Sequence, residues 1–238
     1  MSRPLLRSGF AAGVVVCALS GTAVASMLPP VLPNGGVKFS DILDPAGPYK
    51  GSFIVADKLF EIVAFTPVGV TIMPSMIDIV PVSFGLPATG FDLQGQFSDV
   101  PGDGLTSGFT LQYNVTVLDP NKKIVDVNLL FNGTAVGQNS AITLKETIVD
   151  PMTANFLGQL DVFAFGDVPM SEWQMADGVD FGPPGFTKLN IVKDFSVFAG
   201  STGNAGASFI RQTFSQIPSP GVMWLAALGM GFGARRRR

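Results

Sequence analysis

An alternation of apolar and polar side chains over residues 109–117 is the sequence feature that most constrains the fold of this chain. Apolar residues occupy every second position, and Thr, Gln or Asn stands between them. The apolar positions are Phe109, Leu111, Tyr113, Val115 and Val117. A period of two predicts a strand with one buried face, because successive side chains of a strand point to opposite sides of the sheet. The turn at residues 119–122 and the return arm at residues 124–131 then predict a β-hairpin.

Other stretches of the chain have the length and composition of strands bounded by turn residues. They are residues 51–65, 68–80, 91–97, 140–149, 158–165, 187–199 and 207–214. Within residues 68–80, Pro74 predicts a break or an edge position. No stretch between residues 26 and 216 keeps a helical period, and the 28 glycines and 18 prolines indicate many turns. We therefore predict an all-β fold, an antiparallel β-sandwich of the Greek-key or jelly-roll type.

The first 25 residues have the pattern of an export signal. Arg3 and Arg7 precede an apolar stretch at residues 10–19, and Ala23 and Ala25 form an Ala-x-Ala cleavage site. We predict that residues 1–25 are a signal helix removed by signal peptidase, so that the mature chain begins at Ser26.

The last 22 residues combine prolines, an apolar run and four arginines. Residues 217–234 are 18 uncharged residues, which span about 27 Å as a helix, close to the roughly 30 Å of a bilayer core. Four basic residues follow and would hold the far end in the cytoplasm; they are Arg235, Arg236, Arg237 and Arg238. We predict a C-terminal transmembrane helix, with residues 26–216 as one β-sandwich domain and residues 217–238 as a sorting or anchor segment.

This tail resembles the PEP-CTERM sorting signals of bacterial proteins. Pro218, Pro220 and Gly221 match the short motif of that family, the apolar run matches its helix, and the arginines match its basic cluster. Ser219 stands where the family usually has a glutamate. The resemblance implies a substrate of an exosortase-like processing enzyme that is held in the inner membrane transiently or permanently. The alternative is a plain C-terminal anchor that is never cut.

Composition excludes several classes of enzyme. The chain has no histidine, and its one cysteine, Cys17, lies inside the predicted signal. A mature chain without either residue has no disulfides, no thiol nucleophile, no Cys/His zinc site and no Ser-His-Asp triad. Nine basic residues remain against 18 acidic ones when both terminal segments are removed, so the body carries about −9 and nucleic acid is not an expected partner. We expect a non-enzymatic protein that needs no cofactor and no metal.

The remaining candidate sites have a functional and a structural interpretation. Acidic residues in residues 99–104 and 177–180 are of the type that binds calcium, but Asp-Gly pairs favour turns, and we interpret both stretches as turns. Glu61, Glu146 and Glu172 would supply a glycosidase with its carboxylates, but Glu61 and Glu146 are expected on solvent-facing strand positions.

Aromatic and asparagine residues add two further candidates. Trp173, Tyr49 and Tyr113 would form a sugar-stacking surface if they lay together, although the strand phase predicts Tyr113 in the core. The glycosylation patterns at residues 114–116 and 132–134 are interpreted as a strand and a turn.

The sequence as a whole predicts an exported protein sorted to the cell envelope, serving at the surface or in the extracellular matrix. A carbohydrate-binding module that binds surface polysaccharide is the first alternative, and a glycoside hydrolase that relies on carboxylates is the second.

Overall fold

The computed structural model describes residues 28–69, 72–83 and 88–218. These residues form twelve strands and one short helix. In chain order they are β1 (Val37–Lys38), α1 (Phe39–Leu43), β2 (Ser52–Val55), β3 (Lys58–Val68), β4 (Asp78–Ser83), β5 (Thr89–Ser98), β6 (Ser107–Val117), β7 (Lys122–Val136), β8 (Ala141–Val149), β9 (Phe156–Phe165), β10 (Ala176–Asp180), β11 (Lys188–Phe198) and β12 (Asn204–Pro218). Short 3₁₀ turns occupy Pro74–Met76 and Met170–Glu172.

The strands form two antiparallel sheets of six strands each. One sheet has the order β1-β4-β5-β12-β7-β10 and is called the β12 sheet; the other has the order β2-β3-β6-β11-β8-β9 and is called the β11 sheet. From β5 to β8 each successive strand lies in the opposite sheet, and so does each from β9 to β12. The predicted all-β sandwich of two antiparallel sheets is confirmed.

The predicted hairpin at residues 109–131 is wrong. The turn exists, because the Lys122 amide donates to the Asp119 carbonyl at 3.0 Å and the Asn121 amide donates to the Asp119 carboxylate at 2.9 Å. Its two arms, however, lie in different sheets, since β6 pairs with β3 and β11 while β7 pairs with β12 and β10. Both arms bury their apolar faces by packing them across the core, and the turn chemistry is the same for either arrangement.

Two of the predicted strand stretches on the N-terminal side are each divided in the structure. The stretch at residues 51–65 is a hairpin of two strands, β2 and β3, joined by a two-residue turn in which Ala56 has a φ of 54°. The break predicted at Pro74 within residues 68–80 is confirmed, because Pro74 opens a 3₁₀ turn and β4 begins only at Asp78. Proline has no amide hydrogen to donate to a sheet and often opens such a turn.

Aromatic rings from both sheets meet in the core. One group has ring centroids 5.1 to 6.2 Å apart and consists of Phe53, Phe60, Phe91, Tyr113 and Phe214. A second group has centroids 5.0 to 6.0 Å apart and consists of Phe39, Phe65, Phe97, Phe109 and Phe195. Each group contains rings from both sheets, so aromatic packing joins the two halves of the sandwich.

The end of β12 lies where the predicted tail begins. The strand continues through Ile217 to Pro218, whose backbone positions pair with Lys123 and Lys122 of β7. The first two residues of the predicted tail therefore belong to the sheet. The predicted signal at residues 1–25 and the tail beyond Pro218 lie outside the described residues. Over residues 28–69, 72–83 and 88–218, no helix is long and apolar enough to cross a membrane.

Candidate functional site

The structure gives each acidic stretch a structural role. Asp99 is buried, where its carboxylate accepts hydrogen bonds from the Ser107 hydroxyl at 2.7 Å and the Ala199 amide at 3.0 Å. Residues 177–180 lie in strand β10, so their interpretation as a turn is wrong. In the part of the chain that the structure describes, no three acidic side chains are grouped as a metal would need.

Glu146 is not on a solvent face, and that prediction is wrong. Its side chain is fully buried between the sheets, where Lys193 of β11 and Gln212 of β12 contact it. Glu146 shares its strand phase with Ile142, Leu144 and Ile148, all of which are buried. The alternation of residues along β8 therefore already indicated that Glu146 faces the core.

The other two glutamates lie elsewhere. Glu61 is on the outer face of the β11 sheet and pairs with Lys188 at 3.0 Å, its side chain 42% exposed, as predicted. Glu172 is exposed at the 3₁₀ turn after β9. Because Glu146 is buried in the core and the other two are at the surface, the three glutamates do not form a shared site.

The predicted aromatic surface is not formed by these three residues. Tyr113 is fully buried in the core, as its strand phase predicted. Trp173 is half-buried, and its indole nitrogen donates to the Phe165 carbonyl at 2.9 Å. Asn132, predicted in a turn, lies in strand β7 and donates to the Ser208 hydroxyl at 3.2 Å. The second glycosylation pattern is therefore part of a paired central strand.

A groove on the outer face of the β12 sheet is the candidate site. It has a volume of about 550 Å³ and runs over β7 between β12 and β10. Its lining consists of Asn128, Leu129, Leu130, Ala176, Asp177, Arg211 and Thr213. The lining thus contains both polar and aliphatic groups, as small-molecule sites usually do.

The register of the sheet aligns the residues of the groove in rows that cross the strands. Asp92, Arg211, Leu130 and Ala176 are successive cross-strand partners on β5, β12, β7 and β10. Because each is directly opposite the next, their side chains share the outer face. One end of the row is therefore charged and the other aliphatic.

Arg211 is fixed in place by a two-pronged ion pair. Its Nε and one terminal nitrogen each donate to an oxygen of Asp92 at 2.8 Å, and the Asp92 side chain is only 4% exposed. These hydrogen bonds raise the pKa of Arg211, so it remains cationic. The Phe209 ring lies under the guanidinium carbon at 5.3 Å, which adds a cation–π contact. A planar donor held from two sides keeps one orientation in the groove.

Asp92 and Asp177 are both engaged in hydrogen bonds and lie on strands that are not neighbours. Asp92 accepts from Arg211, while Asp177 accepts from the backbone amides of Asp161 at 2.9 Å and Gly178 at 2.8 Å. Three strand spacings separate β5 from β10, which is about 14 Å. Glycosidases hold their two carboxylates about 5 to 10 Å apart, so Asp92 and Asp177 are not placed as a pair of that kind.

Sequence reasoning missed this site. Arg211 is the only arginine between the predicted export signal and the terminal arginine cluster. This isolation was the one indication of the site in the sequence. Its partners Asp92 and Leu130 are 119 and 81 positions away, and only the sheet order brings the three together.

Comparison with known proteins gives no family. No family matches the chain, and no curated protein matches it. Among solved structures, the chain is similar to TmCBM61 in complex with β-1,4-galactotriose, at 12% identity over 66% of this chain and 90% of that one, with a TM-score of 0.36. It is also similar to a DUF4465 protein of Bacteroides caccae, at 13% identity over 66% of this chain and 88% of that one, with a TM-score of 0.24.

Proposed function

We propose that this protein is exported, sorted to the cell envelope through its C-terminal segment, and serves there without catalysis at the surface or in the matrix. The observation that supports export is the pairing of an Ala-x-Ala signal at one end with a proline motif, an apolar run and an arginine cluster at the other.

Mass spectrometry of the mature protein from a native host tests the sorting proposal. We expect a chain that begins at Ser26 and ends near the proline motif. Replacing Pro218 and Pro220 with alanine is expected to block the C-terminal cut and leave membrane insertion intact. A wild-type chain that still ends at Arg238 would leave only the plain-anchor alternative, and one that retains residues 1–25 would contradict export by signal peptidase.

The groove favours a second candidate role for the body, the binding of surface polysaccharide. A sugar ring has hydroxyls at its rim and C–H groups on its faces. The groove presents an amide, a hydroxyl and an oriented guanidinium beside the aliphatic Leu130 and Ala176. The sugar hydroxyls can therefore hydrogen-bond to the polar groups of the groove, and the C–H faces can pack on its aliphatic side chains.

A glycan array probed with the mature protein tests this role. We expect selective binding to a polysaccharide, and replacing Asn128 with alanine should weaken it about three- to tenfold through loss of a hydrogen bond. Gln159→Ala is the matched control. Both side chains are exposed amides that donate to an aspartate two residues away on their own strand, but Gln159 lies on the β11 sheet. Equal binding by both variants, or no glycan bound, would contradict the role of the groove.

A further inference from the structure

A cluster of ionisable and amide groups is buried in the middle of the sandwich. Lys193 and Glu146 are direct cross-strand partners on β11 and β8, and both side chains are fully buried. The Lys193 ammonium nitrogen contacts Glu146 Oε2 and also the side-chain carbonyl oxygen of Gln212, which reaches across from β12. An amine, a carboxyl group and a carboxamide therefore meet at one point between the two sheets.

The surroundings disfavour the charged forms of this cluster. Burial lowers the pKa of Lys193 and raises the pKa of Glu146, although each partner opposes the shift of the other. The Tyr113 hydroxyl and Glu146 Oε1 are buried with no hydrogen-bond partner among the residues described, so few groups solvate an ion pair. Transfer of one proton from Lys193 to Glu146 leaves a neutral amine and a neutral acid, which the apolar interior accommodates at lower cost.

The Gln212 carboxamide is held from both of its ends. The Gln212 side-chain nitrogen donates to the Asn128 backbone carbonyl at 3.1 Å, while its oxygen accepts from Lys193. These two contacts fix the amide plane, and the amide carbon is one C=O bond beyond the atom that Lys193 touches. Groups held in such proximity react as though at very high concentration.

We propose that Lys193 and Gln212 form an intramolecular isopeptide bond, with Glu146 as the proton-transfer residue. The neutral Lys193 amine attacks the side-chain amide carbon of Gln212, and the electron pair of the C=O bond moves to its oxygen. Glu146 donates a proton to that oxygen, and accepts the proton that the attacking nitrogen loses. Glu146 then gives the proton that it accepted to the side-chain nitrogen of Gln212. When the C=O bond re-forms, the oxygen returns its proton to Glu146, the bond to the side-chain nitrogen of Gln212 breaks, and that nitrogen leaves as ammonia.

The products balance the reactants without an oxidant or cofactor: one amine and one primary amide become one secondary amide and ammonia. The bond links β11 of one sheet to β12 of the other. It replaces a buried lysine with a neutral group, and it gives a chain without mature cysteine a covalent link across its core.

The intact mass of the denatured mature protein tests this proposal, because the result does not depend on any variant folding. We expect a mass below that of the linear sequence by one ammonia molecule, and fragmentation should place the link between peptides of β11 and β12. The Glu146→Gln variant should show the full linear mass. Lys58→Met is the control, since Lys58 is the other fully buried lysine and should not affect the link.

Two results would overturn the proposal. A wild-type mass equal to the linear sequence would show that no bond forms. A deficit of one water molecule located between Lys193 and Glu146 would show that the carboxyl group, and not Gln212, is the acceptor.

Discussion

At the scale of single residues, Asp57 holds together one end of the sandwich. Its carboxylate accepts from Gln216 at 2.7 Å, Lys122 at 3.0 Å and Lys58 at 3.3 Å. Lys58 is fully buried and also contacts the Thr89 hydroxyl. Burial by itself raises the pKa of Asp57, but the hydrogen bonds from Gln216 and Lys122 and the charge of Lys58 outweigh it and hold the pKa below its ordinary value. The carboxylate form therefore stabilises the fold.

Replacing Asp57 with asparagine should lower the free energy of unfolding at pH 7 by about 3 kcal/mol, because it leaves the Lys58 charge without its compensating anion. The depressed pKa means that this stability is present above the ordinary aspartate value of 3.8 and is lost as pH falls through the lower folded value. Urea unfolding of both proteins from pH 7 to pH 2 checks this. The exposed Asp167→Asn variant is the control, and a difference that stays constant down to pH 2 would contradict the argument.

At the scale of elements, β12 and β11, one central strand from each sheet, each pair with a strand that has a glycine at the point of contact. Gly90 of β5 lies opposite Thr213 of β12, and Gly108 of β6 lies opposite Ser196 of β11. A Cβ at either glycine would overlap the backbone carbonyl oxygen of the central strand, that of Gln212 or of Phe195. The backbones approach this closely only because neither glycine has a side chain, so β12 and β11 depend on these positions for their pairing.

The Gly90→Ala variant should therefore be destabilised by about 1–3 kcal/mol or more, because backbone rather than a flexible side chain must move. Thermal unfolding measures the loss. Gly35→Ala is the matched control, since no atom lies within 4 Å of the Cβ it would gain, and it should unfold within about 0.5 kcal/mol of the wild type. Equal midpoints for the two variants would mean that β5 can shift away from β12 at little cost.

At the scale of the whole molecule, two aspartate side chains, Asp99 and Asp177, accept hydrogen bonds that connect separate strands. Asp99 joins the end of β5 to the start of β6 and to Ala199 after β11. Asp177 joins β10 of one sheet to Asp161 on β9 of the other. Carboxylates that accept backbone and hydroxyl hydrogen bonds have their oxygen atoms occupied, so the body should fold and stay folded without a cation to neutralise them.

We expect the melting midpoint of the mature protein to change by less than about 2 °C on addition of a chelator or of millimolar calcium. A cation bound only to the native state would raise the midpoint by mass action. Differential scanning calorimetry under the three conditions makes the measurement, and a clear rise with calcium that the chelator reverses would reveal a site.

Local pattern was sufficient for much of the fold. Alternation over residues 109–117 predicted both a strand and the burial of Tyr113, because a strand places every second side chain on one face whatever its partners are. Residues 140–149, 158–165 and 187–199 were also identified as strands to within two residues at either end. The all-β class therefore followed from sequence.

Partner choice was decided only by the tertiary structure. A turn such as that at residues 119–122 reverses the chain, but whether its arms hydrogen-bond or face each other across a core depends on the other strands. The groove also depends on strand pairing, since the strand order of the sheet brings Asp92, Arg211 and Leu130 together. The burial of Glu146 was readable from its phase, but its contact with Lys193 and Gln212 was not, because pairing across sheets depends on long-range packing and not on the period of any one strand.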